Sequence, residues 1–125
     1  MVGFKVLIID DDYINRKLLI EILKKNLYQV KAIESVDGED ALQQVHENPD
    51  IQLILLDIEM PKIDGIDFLE YHMKYDQNKN IPIIAISSND TRKKESLTKG
   101  ANAFLTKPIT EHQLMEAIVD SSKEF

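Results

Sequence analysis

Ile51-Gln52-Leu53-Ile54-Leu55-Leu56-Asp57-Ile58-Glu59-Met60-Pro61-Lys62-Ile63-Asp64-Gly65 is the stretch on which the reading of this chain turns. The apolar run from Ile51 to Leu56 predicts a buried strand. It stops at a carboxylate, and Pro61 and Gly65 mark a loop. Open α/β sheets keep their reactive groups at the carboxyl ends of such strands. A lone aspartate in that place is more often a turn residue or a helix cap. Asp57 gains weight from three other strand ends. Asp10-Asp11-Asp12 closes Lys5-Val6-Leu7-Ile8-Ile9. Ser87 closes Pro82-Ile83-Ile84-Ala85-Ile86, and Lys107-Pro108 follows Ala103-Phe104-Leu105.

Between these runs the periodicity changes to that of helices. Ile14, Leu18 and Ile22 recur at helical spacing with Leu19 and Leu23 beside them, and Lys24-Lys25 suits the negative end of a helix dipole. A weaker strand falls near Gln29 to Ile33. Ala41, Leu42 and Val45 predict a second helix, stopped by Asn48-Pro49. Ile66, Leu69 and Met73 share one face of a third. Residues 76–80 read as a loop. Asp90 or Thr91 opens a short fourth helix that stops at Gly100. Thr110 with Gln113 forms a capping box for a fifth, with Leu114, Ala117 and Ile118 facing inward. Both Asp-Gly pairs precede helical spacing, so they read as strand-to-helix turns rather than hairpins. Five strand–helix units predict an α/β fold: a doubly wound, flavodoxin-like parallel sheet of order 2-1-3-4-5 with helices on both faces.

Composition narrows the function classes. The 125 residues fit one domain with a real core, and 43% hydrophobic with 30% charged residues is ordinary for a globular chain. No apolar run is long enough to span a membrane, and Met1 to Lys5 lacks the layout of a signal peptide. The absence of cysteine excludes disulfides and thiolate metal sites, and is compatible with a cytoplasmic location. A formal charge of -7, with Arg16 and Arg92 the only arginines, argues against direct nucleic-acid binding. His46, His72 and His112 fall on separate helices without metal-ligand spacing and read as surface residues. Lys93-Lys94 reads as a solvated helix face.

In the predicted order the first and third strands are neighbours, so the acidic cluster and Asp57 meet. Carboxylates, a hydroxyl and an ammonium at one sheet edge suit a divalent cation and a phosphoryl group. A carboxylate can itself accept that group as an aspartyl phosphate.

The same residues resemble the receiver domain of two-component response regulators over essentially the whole chain, residues 1–125. The likeness rests on Ile8-Ile9-Asp10-Asp11, on Leu55 to Gly65, on Ile84-Ala85-Ile86-Ser87-Ser88 and on Gly100 to Pro108. It implies Asp57 as phosphoacceptor. It also implies Mg2+ held by Asp11 directly, by Asp10 through water, by Asp57, and by the backbone carbonyl of Glu59. Lys107 would pair with the carboxylate and then the phosphoryl group, and Ser87 would bond a phosphoryl oxygen. Phe104 matches the aromatic switch position. A cis peptide is usual before the proline matching Pro108. The implied donor is a histidine kinase or histidine phosphotransfer domain, and the effector stays unnamed. The implied output is a change of the face made by the fourth helix, fifth strand and fifth helix, with a phosphorylation-dependent dimer as one form. Such a domain is a switch, not a turnover enzyme, and supports only its own phosphorylation and dephosphorylation.

The chain departs from the family pattern in places. Serine stands at 87 where threonine is commoner, and at 88 where alanine or glycine is frequent. Phe104 carries no hydroxyl. Asp12 adds a third acid, which reads as a solvated or helix-capping residue because Ile9 is the last apolar position. Asn15-Arg16 looks somewhat like receivers cut from hybrid kinases. Two rivals share parts of the pattern. A haloacid dehalogenase-type phosphatase places its nucleophile early, in an Asp-x-Asp motif. A flavin carrier needs a Ser/Thr/Gly-rich loop after the first strand, where this chain has Asp10-Asp11-Asp12-Tyr13.

Overall fold

The computed structural model describes residues 3–76 and 80–122. Strands β1 (Phe4–Ile9), β2 (Val30–Ser35), β3 (Leu53–Asp57), β4 (Ile83–Ser87) and β5 (Ala103–Thr106) alternate with helices α1 (Tyr13–Asn26), α2 (Gly38–Glu47), α3 (Gly65–Tyr75), α4 (Lys93–Thr98) and α5 (Glu111–Ser122). A single 3-10 turn, Asp90–Arg92, leads into α4. All strand pairs are parallel, in the order β2-β1-β3-β4-β5. The predicted flavodoxin-like sheet is therefore the observed one. Part of the predicted 76–80 loop, residues 77–79, lies outside the described residues.

Strand parity sorts the core into two layers. Val6, Ile8, Leu53, Leu55, Ile84 and Ile86 pack under Leu19, Ile20 and Leu23 of α1 and Leu114, Ala117 and Ile118 of α5. Leu7, Ile9, Ile54, Leu56, Ile83 and Ala85 pack under Ala41 and Val45 of α2 and Ile66, Phe68 and Leu69 of α3. Every residue of β3 and β4 is buried, as expected of central parallel strands covered on both faces. Each helix start follows a strand end, and acids cap three of them. Asp12 accepts from the Ile14 N–H at 2.8 Å, Asp37 from Asp40 at 2.8 Å, and Asp64 from Asp67 at 3.0 Å. The Thr110–Gln113 capping box is formed in both directions, at 3.1 and 3.2 Å.

Two sequence readings change. On α1 the inward stripe is Arg16, Leu19, Ile20 and Leu23, while Ile14 and Leu18 are exposed. The apolar residues are more numerous than one stripe can bury, and Arg16 takes an inner place because its guanidinium has partners there, the buried Asp10 carbonyl and the half-buried Glu34 carboxylate. His72 is not a surface residue. It is fully buried on α3, stacked on Phe68 at 5.6 Å, with Nδ1 2.5 Å from Asp76 Oδ2. The spacing from Phe68 places it on the apolar face, and Asp76 at the helix end makes that burial tolerable. His46 and His112 are exposed, as read.

Candidate functional site

Asp57 is the last residue of β3 and still pairs in register with Ile86 of β4. The strand ends one residue later than the Ile51–Leu56 run predicted, because the ladder continues through the Ile58 N–H, which donates to the Ile86 carbonyl at 2.9 Å, and it begins two residues later, at Leu53. Asp10 follows β1 directly. Parity turns both side chains toward the α1/α5 layer at the sheet's carboxyl edge. One carboxylate oxygen each from Asp10, Asp11 and Asp57 lies within 4.8 Å of the others. Asp10 and Asp57 are each 3% exposed, whereas Asp11 faces solvent.

Among the described residues the Lys107 ammonium answers these acids. Lys107 Nζ lies 3.5 Å from Asp57 Oδ1 and 4.0 Å from Asp10 Oδ2. The Lys107–Pro108 peptide is cis. Burial, then repulsion from Asp10, raises the Asp57 carboxyl from its usual 3.8 to about 7; Lys107 opposes the rise and the Glu59 charge adds to it. Burial likewise raises Asp10, against the Asp12 N–H that its Oδ1 accepts at 2.8 Å and against Lys107. Three carboxyl groups beside one ammonium leave the corner with an excess of negative charge once they ionise. Hard oxygen donors with that excess fit a divalent cation such as Mg2+, and Asp10, Asp11 and Asp57 are the side chains that would hold it.

Gly65 sets how closely the loop can fold back on β3. A Cβ there would meet the Asp57 carbonyl oxygen and Ile58 Cα, each at 2.7 Å. The Gly65 N–H donates to the Ile58 carbonyl at 2.8 Å. Any side chain at 65 pushes directly on the backbone that carries Asp57.

Ser87 is fully buried at the end of β4, with its hydroxyl 2.6 and 2.8 Å from the two carboxylate oxygens of Glu59. Phe104 is half-buried against the α2/α3 layer and pairs in register with Ala85, on the same sheet face as Ser87. Asp12, the third acid of the cluster, is the α1 cap, one of the two roles the sequence left open.

Two contributors, Arg16 and Arg92, were missed in the sequence, and a third, Glu59, was read there through its backbone carbonyl and not for its side-chain contacts. Arg16, 8% exposed, donates from Nη1 to the Asp10 carbonyl at 2.8 Å and from Nε to Glu34 at 2.9 Å, tying α1 and β2 to the acidic corner. Its signal was the spacing 16, 19, 20, 23, a buried stripe with one polar member. The Glu59 side chain turns onto Ser87 and Ser88. Arg92 Nη2 meets Glu95 at 2.9 Å and Asp64 at 3.7 Å, with Nη1 4.0 Å from Glu59. A loop that folds back on itself leaves no periodic signal for these two.

The carboxyl edge of this doubly wound sheet thus carries acids, a hydroxyl and a lysine, groups that suit a divalent cation and an oxyanion. The family model described as the response regulator receiver domain matches residues 6–119. The chemotaxis protein CheY of Thermotoga maritima is 34% identical over 97% of this chain and 99% of its own length. A crystal structure of a CheX–CheY–BeF3–Mg complex from Borrelia burgdorferi matches with a TM-score of 0.84 and 33% identity, over 94% of this chain and 87% of that one. A structure of a response regulator/GGDEF domain protein matches with a TM-score of 0.86 and 31% identity, and there the chain spans 50% of the longer molecule. The chain belongs to the response regulator receiver domain family, whose members are phosphoacceptor modules of two-component signalling rather than classical enzymes. Among the described residues no helix is long and apolar enough to cross a membrane.

Proposed function

We propose that residues 1–125 form one receiver domain in which Asp57 takes a phosphoryl group from a phosphohistidine of a histidine kinase or phosphotransfer protein, in the cytoplasm. The observation that carries this reading is the cluster of Asp10, Asp11 and Asp57 with the Lys107 ammonium 3.5 Å from Asp57. An Asp57 oxygen attacks phosphorus, the phosphorus–nitrogen bond breaks, and the imidazole leaves with the bonding pair. Bound Mg2+, with the Glu59 backbone carbonyl as a further ligand, supplies charge neutralisation for the phosphoryl oxygens. Lys107 pairs with one of those oxygens and Ser87 donates to another. The pull on Ser87 makes room for Phe104, which also lines a groove of about 330 Å³ between β5 and α5. The α4–β5–α5 face then changes its affinity for an effector or for a second copy. Hydrolysis of the aspartyl phosphate by the domain itself resets the switch.

The test is intact mass after incubation with acetyl phosphate and magnesium. The expected result is a gain of one phosphoryl group per chain. Multiple turnovers without a stable gain would indicate a phosphatase, and a yellow protein would indicate a flavin carrier.

The exposed apolar residues of α1 support a protein donor. Leu18 is 53% exposed and, with Ile22 and Ile109, lines a groove of about 410 Å³ that opens onto Asp10 and Lys107. A helical donor covering this groove would bring its histidine to the acidic corner. Leu18→Glu is expected to slow transfer from a phosphohistidine protein by about tenfold, the loss of one buried anchor. Labelling by acetyl phosphate should stay within about twofold of wild type, since a small donor needs no such anchor. Equal slowing with both donors would place Leu18 in the chemistry instead of the docking.

A further inference from the structure

Ser87 and Ser88 present two donors side by side at the end of β4. The Ser88 N–H donates to Glu59 Oε1 at 3.0 Å, and Ser88 Oγ lies 3.3 Å from the same oxygen. Ser87 Oγ accepts from the Asn89 N–H at 2.9 Å, which leaves its single proton for an acceptor such as Glu59. A hydroxyl and a backbone N–H beside each other, at the end of a strand that adjoins Asp57, make a donor pair for one oxyanion. A carboxylate of this chain already fills it. Carboxylate and phosphoryl oxygens make the same demand on such donors, so they compete.

Glu59 also has somewhere else to go. Its side chain is 38% exposed, and Arg92 Nη1 stands 4.0 Å from Oε2. Arg92 is held there by Glu95 and Asp64, so an acid swung outward meets a guanidinium already in place.

We infer that Glu59 is an internal occupant of the phosphoryl-oxygen site, holding the Ser87 hydroxyl and the Ser88 amide until an anion on Asp57 displaces its carboxylate toward Arg92. The inference rests on the reading of Asp57 as phosphoacceptor. Glu59 is a positioning residue: its side chain acts through Ser87 and Ser88 and does not touch the reacting atoms. The hydrogen bonds it makes are subtracted from the affinity of the incoming anion. In consequence the unphosphorylated state is favoured, and Ser87 is kept away from Asp57 until phosphorylation.

The experiment titrates the full chain with beryllium fluoride at saturating magnesium, read by amide NMR, for wild type and Glu59→Ala. The substitution keeps the Glu59 backbone carbonyl. Before any ligand is added, the Ser88 amide proton is expected to move upfield in Glu59→Ala, because its charge-assisted bond is gone. It should return downfield as the fluoride anion takes the place of the carboxylate. The variant should bind about tenfold more tightly, the worth of one charge-assisted hydrogen bond removed from the competing state. Removing a negative charge near an anion site also helps by repulsion alone, so the titration is run at ionic strengths of about 0.1 M and about 1 M. Through-space repulsion is screened at the higher value, whereas direct competition for two donors persists. If Glu59→Ala does not fold, Glu59→Gln carries the same comparison, with a gain of about a few-fold expected at both ionic strengths because an amide oxygen competes for the two donors less well than a carboxylate. A gain that persists in high salt, with the Ser88 shift, supports the inference. Equal affinities, or a gain that disappears at about 1 M salt, overturn it and leave the phosphoacceptor reading standing. Absence of binding by both proteins overturns the two together.

Discussion

Asp57→Asn is expected to abolish the mass gain from acetyl phosphate and, at the same time, to make the protein more stable at pH 8. The first effect follows from the proposed acceptor role: an amide cannot take the phosphoryl group. The second follows from burial. The folded Asp57 carboxyl titrates at about 7, and an unfolded aspartate near 3.8. Between those values the native state holds more protons than the unfolded chain, so stability falls as the pH rises through the window. Above about 7 the full cost of an ionised carboxylate beside Asp10 is present. A neutral amide does not bear it. Urea unfolding should show the variant more stable by roughly 2–4 kcal/mol at pH 8, with the gap closing toward about pH 4. Magnesium should raise wild-type stability more than that of the variant, because a ligand stabilises the state that binds it. A difference that does not change between pH 5 and pH 8 would mean that Asp57 ionises freely in the folded protein. In that case the site is wetter than its 3% exposure indicates.

The fold was legible in the sequence because its information is periodic. Four of the five strands, β2 being the weaker exception, are apolar runs ended by a polar residue, and acids or a Thr–Gln box stand at most helix starts. Parallel order then follows from chain economy and crossover handedness. The strand-end residues were legible for the same reason, since parity and position place Asp10, Asp57, Ser87 and Lys107 at one edge. What escaped was set by partners distant in sequence. Arg16 looks like a surface residue until Glu34, eighteen positions away on β2, and the Asp10 carbonyl are brought to it. His72 looks polar until Asp76 and Phe68 close around it. The direction of the Glu59 side chain depends on how tightly the β3–α3 loop folds back. That is decided by the close approach of Gly65 to Asp57 and Ile58, which no local pattern around Glu59 reports.

The three consecutive acids give the second large effect, because their surroundings separate residues that composition cannot. Asp12 is committed to α1, accepting from Ile14 and Asn15. Asn caps a helix about as well as Asp, so Asp12→Asn should change magnesium affinity by less than about twofold. Asp10 is buried, and one of its oxygens accepts the Asp12 N–H while the other faces Lys107. It can serve a cation only in part or through water, and Asp10→Asn should cost about tenfold, as for residues that support a metal ligand. Asp11 is exposed, and among the described residues its side chain has no hydrogen bond or ion pair, yet an oxygen of it lies within 4.8 Å of those of Asp10 and Asp57. Its lone pairs are available to a cation without displacing a protein partner. Asp11→Asn should therefore weaken magnesium binding by on the order of 10² and abolish acetyl phosphate labelling at ordinary magnesium concentrations. Calorimetric titration of magnesium into the three variants measures the order directly. A larger loss from Asp12→Asn than from Asp11→Asn would refute the assignment, because the α1 cap would then be acting as the ligand.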